Sequence, residues 1–289
     1  MDALIDLKHA LDYMETQMEN RLDIEEVAKA ACMSAFHFQR LFHVVTGVTV
    51  AEYVRKRKLT LAAQELASST AKVVDVALKY GYDTPESFSK AFRRIHGLSP
   101  SEARTEGAKL KAFPRISFQL ILKGDKDMDY RIENKEAFTL VGKSINTTTQ
   151  NGENHNQITQ FWQDVLSDGT FSDLLTIAQE EKSFGACYNL NQATGQFSYL
   201  IGVNSSLDAA KENNYQVREI PAATWAVFTS VGPLPHTIQQ TFTRVFQEWF
   251  PATGYEHAGG SELEVYYPGD TSVDDYRCEI WIPILKKQA

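Results

Sequence analysis

Residues 27–42, VAKAACMSAFHFQRLF, and residues 76–92, VALKYGYDTPESFSKAF, are two versions of one phrase. Val27-Ala28 answers Val76-Ala77, Cys32-Met33 answers Gly81-Tyr82, and Phe38, Arg40, Phe42 and Gly47 answer Phe88, Lys90, Phe92 and Gly97. The offset is 49 residues before the turn and 50 after it, so the second copy carries one more turn residue. Each copy reads as a short helix, a tight turn and a second helix stopped by Gly, the order of a helix-turn-helix. A repeat fixes architecture before any single residue is interpreted, and this one predicts two recognition helices for double-stranded DNA.

Ser34 and Thr84 are the N-caps of the two second helices, and Pro85 followed by Glu86 is the favoured start of the later one. With Phe38, Leu41, Phe42 and Val45 as the buried stripe of the first copy, Phe36, His37, Gln39 and Arg40 are expected to face outward or obliquely. Arg40 suits a bidentate contact to guanine, Gln39 to adenine, and Phe36 a thymine methyl group. With Phe88, Ala91 and Phe92 buried in the second copy, Glu86, Ser87, Ser89, Lys90 and Arg93 are presented, Glu86 to a cytosine amine and Lys90 to guanine or phosphate. Singly, each of these residues reads first as a solvated helix face, and Phe36 as core; two complete motifs with basic residues at the matched positions Arg40 and Lys90 favour DNA. The run Arg55-Lys56-Arg57-Lys58 on the connecting helix is open to a solvated, a phosphate-contacting or a packing role.

A chain of 289 residues has room for about two domains. Its net charge of -8 argues against nucleic acid until it is divided. Residues 1–111 hold 16 basic against 15 acidic residues, and 112–289 hold 13 against 22; within the first part, 40–111 hold 13 against 7. A basic patch therefore survives where a phosphate backbone needs it. Three cysteines without close spacing suit neither a disulfide framework nor a zinc site, and the seven histidines are scattered. No cofactor, metal site or catalytic residue is expected. The N-terminus lacks a basic segment followed by an apolar run, and no stretch approaches the ~18 apolar residues of a membrane helix, so a cytoplasmic protein without a membrane partner is expected.

From about residue 110 the apolar period changes from 3.6 to 2. Ile116, Phe118, Leu120 and Leu122 read as a strand and 124–127 as a turn. Two amphipathic helices follow, one with Phe161, Trp162 and Val165, the other with Phe242, Val245 and Phe246; each comes after one extended stretch and before two more. The predicted fold is thus multi-domain: an all-α double helix-turn-helix domain over 1–107 with motifs at about 24–47 and 73–97, a linker over 108–127, and an α+β domain over 128–289 made of two strand-helix-strand-strand repeats with a groove between them.

Residues 8–106 closely resemble the AraC/XylS type of transcriptional regulator, through VAKAACMSAFHFQRLFHVVTG and VALKYGYDTPESFSKAFRRIHGLSPSEAR. That resemblance implies seven helices, with the two motifs reading successive major grooves ~34 Å apart, and RNA polymerase as a further partner. Cys32 stands where the family usually turns with Gly, a change tolerable if the backbone there avoids positive φ, and Phe36 stands where relatives often carry Trp. Residues 128–286 resemble a gyrase-inhibitor-like (GyrI-like) effector-binding domain, through IPAATWAVFTSVGP (220–233), ELEVYYPGD (262–270) and RCEIWIPIL (277–285). This implies a groove that takes organic cations between aromatic walls and one buried carboxylate, corresponding to Glu279.

Strand alternation places Glu279 and Trp281 on one face of their strand, and a carboxylate beside Trp is costly unless paired. A lipophilic cation would supply the charge and the apolar surface. Tyr199 is expected to face Glu279 across the groove, with Trp162, Trp225, Tyr188 and Tyr266 as further walls. The leading expectation is a sequence-specific DNA-binding transcriptional regulator controlled by a small aromatic or cationic effector. Three alternatives stay open: Glu279 in an internal salt bridge to Arg277 or Arg218, a hydrolase of reactive electrophiles using Glu279 with Tyr199 or Tyr266, and a protein-docking module without a small ligand.

Overall fold

The computed structural model describes residues 2–105, 107–117 and 127–287. The chain divides into two compact units, Met1–Phe38 with Thr49–Ile121, and Gln39–Val48 with Leu122–Ala289. The boundary falls inside the first recognition helix.

Among the described residues, six α-helices span the first part of the chain: α1 Asp2–Thr16, α2 Ile24–Ala30, α3 Ala35–Thr46, α4 Val50–Ser68, α5 Val73–Lys79 and α6 Pro85–His96. The seventh helix implied by the family resemblance is a single 3₁₀ turn, Glu102–Arg104. The repeat seen in sequence is a repeat in backbone. The Met33 amide donates to Ala28 O and the Cys32 amide to Lys29 O, and the Tyr82 and Gly81 amides donate to Ala77 O and Leu78 O in the same way. The extra turn residue of the second copy is absorbed before Thr84, whose hydroxyl accepts from the Ser87 amide at 3.2 Å, with Pro85 in the first helical turn. Behind these helices Phe88 and Phe92 pack with Leu59, Leu66 and Val76 in one core.

Three of the four residues in the basic run are engaged inside this unit. Arg57 grips Glu15 with two hydrogen bonds of 2.9 and 2.7 Å and reaches the Phe113 carbonyl, Lys56 pairs with Glu52, and the Lys58 ammonium donates to Asn20 O. The run therefore ties α4 to α1 and to the segment after α6, and Arg55 is its exposed member.

The strand expected from Ile116 to Leu122 falls mostly on residues outside the described ones, as does most of the turn at 124–127; residues 111–117 have no regular structure. The second unit holds β1 Tyr130–Lys135, β2 Phe138–Thr148, α7 Glu153–Ser167, α8 Thr170–Thr176, β3 Ser183–Tyr188, β4 Gln196–Asn204, α9 Leu207–Glu212, β5 Gln216–Ile220, β6 Ala223–Val231, α10 His236–Arg244, β7 Tyr255–His257, β8 Glu262–Tyr266 and β9 Arg277–Lys286. A π turn, Val245–Trp249, prolongs α10. Strand-helix-strand-strand thus occurs twice, as β2-α7-β3-β4 and β6-α10-β8-β9. The antiparallel order is β1-β6-β9-β8-β3-β4-β2-β5, so the two halves join in one sheet where β8 meets β3, and β7 pairs with the far end of β9.

In an antiparallel sheet, residues directly opposite share a face. The register sets Cys187 opposite Tyr199 and Glu262, and Gly185 opposite Ile201 and Glu264. These residues lie on the side where α7 packs through Phe161, Trp162 and Val165 onto Phe197, Tyr199 and Ile201. Glu279 is opposite Val265 and Trp281 opposite Leu263, on the other side, in a second core with Phe184, Leu200 and Trp225.

Cys32 has φ 51°, in the left-handed region, at the turn position where the second copy has Gly81 with φ 82°. The condition under which Cys32 would be harmless is therefore not met. A side chain in that region costs ~1–2 kcal/mol, partly offset because Gly gains freedom in the unfolded chain. Cys32→Gly is expected to stabilise the protein by about 0.5–1 kcal/mol, read as a higher urea midpoint at unchanged slope; an unchanged or lower midpoint would contradict the strain at this turn.

Candidate functional site

On α6 the residues expected at DNA are presented. Glu86, Ser87, Lys90 and Arg93 are exposed and Ser89 is half-buried, because Phe88 and Phe92 turn inward against α4. The hydroxyl cap of Thr84 and the left-handed Gly97, φ 80°, bound this helix at both ends.

The first recognition helix differs. Phe36 and Gln39 are half-buried, but His37 is only 1 % exposed and Arg40 9 %, so neither faces outward as the apolar periodicity implied. Residues Gln39–Val48 cluster with the second unit, and Arg40 finds its partner there. Its Nε donates to Glu262 Oε1 at 2.7 Å and its Nη2 to Oε2 at 2.6 Å, a bidentate pair, while the guanidinium lies 5.0 Å from the ring centre of Phe242 and 5.3 Å from that of Phe246. Glu262, 7 % exposed, also meets His257 Nε2 at 3.1 Å. Burial alone would raise the Glu262 pKa, but Arg40 and His257 more than offset it and hold the carboxyl at about 2. A period-3.6 reading misses this arrangement because it assigns every polar position of a helix to solvent.

The effector-site residues divide between the two faces of the sheet. Tyr199 does not face Glu279: the hydroxyls of Tyr199 and Tyr266 donate to Glu264 Oε2 at 2.5 and 2.8 Å. Trp162 completes this group, its indole N–H donating to the Tyr199 hydroxyl at 3.0 Å and its ring standing edge-on to Tyr266 at 5.1 Å. A methyl group on Gly185 would overlap both the Tyr199 hydroxyl and the Glu264 carboxylate, so the absence of a side chain there makes the cluster possible. Glu264 and Tyr266 are half-buried, and among the described residues Glu264 has no basic side chain within ion-pair distance. Burial and the neighbouring Glu262 raise its pKa, against the two tyrosine hydrogen bonds that lower it. The tyrosines, pushed well above their ordinary pKa by burial and by Glu264, stay neutral donors.

Glu279 lies on the opposite face and is already neutralised. Arg131, from β1, donates to it at 2.7 and 3.1 Å, and the Trp281 indole N–H at 2.8 Å. Burial works to raise its pKa, yet Arg131 and Trp281 bring the net shift down. The partner is thus Arg131, neither Arg277 nor Arg218; Arg218 instead lies over the Tyr188 ring, 4.5 Å from its centre. Trp225 and Trp281 are 1 % and 4 % exposed and pack in the core, so they are not open walls. A cavity of 560 Å³ does open beside Glu279, lined also by Tyr267, Asp270, Tyr276 and Arg277. Glu264 was within reach of sequence reading: in Glu262-Leu263-Glu264-Val265-Tyr266, two carboxylates and a tyrosine alternate with apolar residues on one strand.

Among the described residues no group of three or more His, Cys, Asp or Glu could hold a metal ion, and no helix is long and apolar enough to cross a membrane.

Residues 131–284 match the family of integron-associated effector binding proteins, and residues 27–106 match a helix-turn-helix domain. The HTH-type transcriptional activator AarP of Providencia stuartii is 36% identical over 95 residues, covering 33% of this chain and 70% of its own length. The transcriptional regulator Rob of Salmonella typhimurium is 25% identical over 302 residues, 98% of this chain and 99% of its own. Among solved structures, that of SAV2435 bound to tetraphenylphosphonium is similar at 26% identity and a TM-score of 0.49, over 55% of this chain and 94% of that one. The chain belongs to the AraC-type transcriptional regulators and, through residues 131–284, to the integron-associated effector-binding family: it is a DNA-binding regulator under effector control.

Proposed function

We propose that the effector is an organic cation with apolar surface and that its central partner is Glu264. The observation that carries this reading is a half-buried carboxylate with no cation beside it among the described residues, ringed by Trp162, Tyr199 and Tyr266. Removing a carboxylate from water is costly without a counter-charge, and a bound cation supplies one while its apolar surface meets three aromatic rings. Protonation is the other way to relieve the same cost, which is why the carboxyl's pKa is raised. The carboxylate and tyrosine pair that a hydrolase would need is also this one, Glu264 with Tyr199 or Tyr266, and not Glu279. The relatives of this chain are regulators of transcription, which supports reading the group as a sensor.

A second site at Glu279 is favoured by the 560 Å³ cavity beside it, and opposed by the Arg131 pair that already satisfies its charge. The two readings separate in a titration of the full-length chain with a lipophilic cationic dye such as rhodamine 6G. Glu264→Gln is expected to weaken dye binding by about tenfold or more, equivalent to about 1.4 kcal/mol, and Glu279→Gln to change it less than about twofold. The reverse order would move the sensor to Glu279.

The sign of the pH dependence follows from the raised pKa of Glu264. Cation binding needs the carboxylate, so affinity is present above that pKa and lost as pH falls through it, starting above the ordinary glutamate value of about 4.3. The expected wild-type profile therefore weakens on acidification and is flat in Glu264→Gln. A wild-type profile still flat at the ordinary glutamate value of about 4.3 would count against a carboxylate partner.

On DNA, we propose that base and phosphate contacts fall to Glu86, Ser87, Ser89, Lys90 and Arg93 on α6 and to Phe36, Gln39 and Arg40 on α3, with each helix in a major groove. His37, being buried, is left out. Activation through RNA polymerase is supported by the 36% identity to the activator AarP. If Lys90 meets a phosphate, Lys90→Ala lowers the slope of log affinity against log salt by about 1 across all sequences; if it reads guanine, the variant relaxes preference at one base pair. A variant that changes neither would remove Lys90 from the interface.

A further inference from the structure

Arg40 belongs to the DNA-reading motif by sequence and to the second unit by its contacts. Its Nε/Nη2 edge is taken by Glu262, and the whole side chain is only 9 % exposed beside the rings of Phe242 and Phe246. While the pair is closed, a guanine O6 and N7 edge cannot reach this guanidinium. We infer that the Arg40–Glu262 pair is a latch that withholds the first recognition helix's guanine-reading residue from DNA, and that an effector cation at Glu264 weakens it.

When Arg40 leaves, Glu262 keeps a hydrogen bond from His257 Nε2, 3.1 Å away, and Arg40 gains the base edge or phosphates of DNA. Glu262 then lacks a counter-charge, which is why the pair stays closed until a cation is seated nearby. Among the described residues no ion pair holds the matched position of the second copy, and Lys90 is exposed on α6. The latch thus acts on one of two readers: α6 can engage DNA while α3 is held, and its release adds the second half-site.

The link to the effector rests on the proposal that Glu264 is the sensor. Glu262 and Glu264 are alternate residues of β8 on one face, with Cys187 and Gly185 of β3 opposite them. Alternate strand residues stand ~7 Å apart, close enough that their charges interact in a buried setting. Burial first, and the neighbouring Glu262 second, push the Glu264 pKa up, in keeping with two carboxyls that share one face. A cation seated on Glu264 brings positive charge beside Glu262 and reduces its hold on Arg40, so effector and DNA favour the same released state.

The test uses the full-length chain and a DNA fragment selected by the wild type from a random pool, with affinity read by fluorescence anisotropy. Glu262→Gln is expected to bind this DNA about tenfold more tightly than wild type without any effector, and the gain is expected to vanish in the double variant Arg40→Ala/Glu262→Gln. An unchanged or weaker affinity in folded Glu262→Gln, or a gain that survives loss of Arg40, would overturn the latch. A measurement on the wild type keeps the question open to refutation should the variant not fold: phenylglyoxal labelling read by mass spectrometry should modify Arg40 far more slowly than exposed Arg93. Equal rates would show that Arg40 is not held. Rhodamine 6G should speed Arg40 labelling in wild type and leave it unchanged in Glu264→Gln. If the dye binds wild type but does not speed labelling, the coupling fails; if Glu264→Gln binds dye normally, it is the sensor assignment that fails, and the latch still stands or falls on Glu262→Gln.

Discussion

Three glutamates enter the sheet of the second unit from neighbouring strands, and what separates their roles is the cation each one faces. Glu262 has Arg40, Glu279 has Arg131, and Glu264 has tyrosine hydroxyls only. Burial pushes upward on the pKa of all three carboxyls, but Arg40 and Arg131 bring those of Glu262 and Glu279 down, so only Glu264 stays raised and its charge is still to be matched. An unmatched carboxylate is unfavourable in isolation and becomes favourable on binding a cation. That is the physical property a sensor needs: a site whose free energy differs between the empty and occupied forms.

The register of one sheet produces this distribution. Gly185 leaves room on β3 for the Tyr199 hydroxyl and the Glu264 carboxylate to meet, and Glu264 and Glu262 share a face because they alternate on β8. Had β8 paired with β3 one residue out of register, Leu263 and Val265 would stand in the cluster and both carboxylates would enter the apolar core with Phe184 and Trp225. The apolar alternation of β8 therefore also specifies which of its acids reaches the aromatic ring system.

Much of the fold was legible in sequence. The helix-turn-helix repeat was visible because its turns require the same backbone twice, down to matched amide donors at Cys32 and Gly81, and the change of apolar period marked the second domain. Alternation within β9 correctly separated Glu279 and Trp281 from Cys278 and Ile280. What alternation could not supply was the register between strands, and so Tyr199 was matched to the wrong carboxylate. Period 2 says which residues of one strand share a face; it does not say which face of the next strand they join. Arg131 was out of reach for the same reason, since it approaches Glu279 from a strand 148 residues away.

The burial of Arg40 bears on what an exposed polar position on a recognition helix means. By spacing, Arg40 and Lys90 are equivalent, and in an isolated helix-turn-helix both would be solvated. Their difference here comes from the partner that each meets: Lys90 stays exposed on α6, whereas Arg40 is held between a carboxylate and the rings of Phe242 and Phe246. A guanidinium suits such a double role better than an ammonium. Its planar fork fits a carboxylate and a guanine edge with equal geometry, its weaker hydration lowers the cost of burial, and its faces stack on aromatic rings. Arg at the first position and Lys at the second therefore assign the residue that can exchange partners to the helix whose outer end clusters with the effector-binding unit, and leave the strongly hydrated point charge on the helix that stays open to solvent.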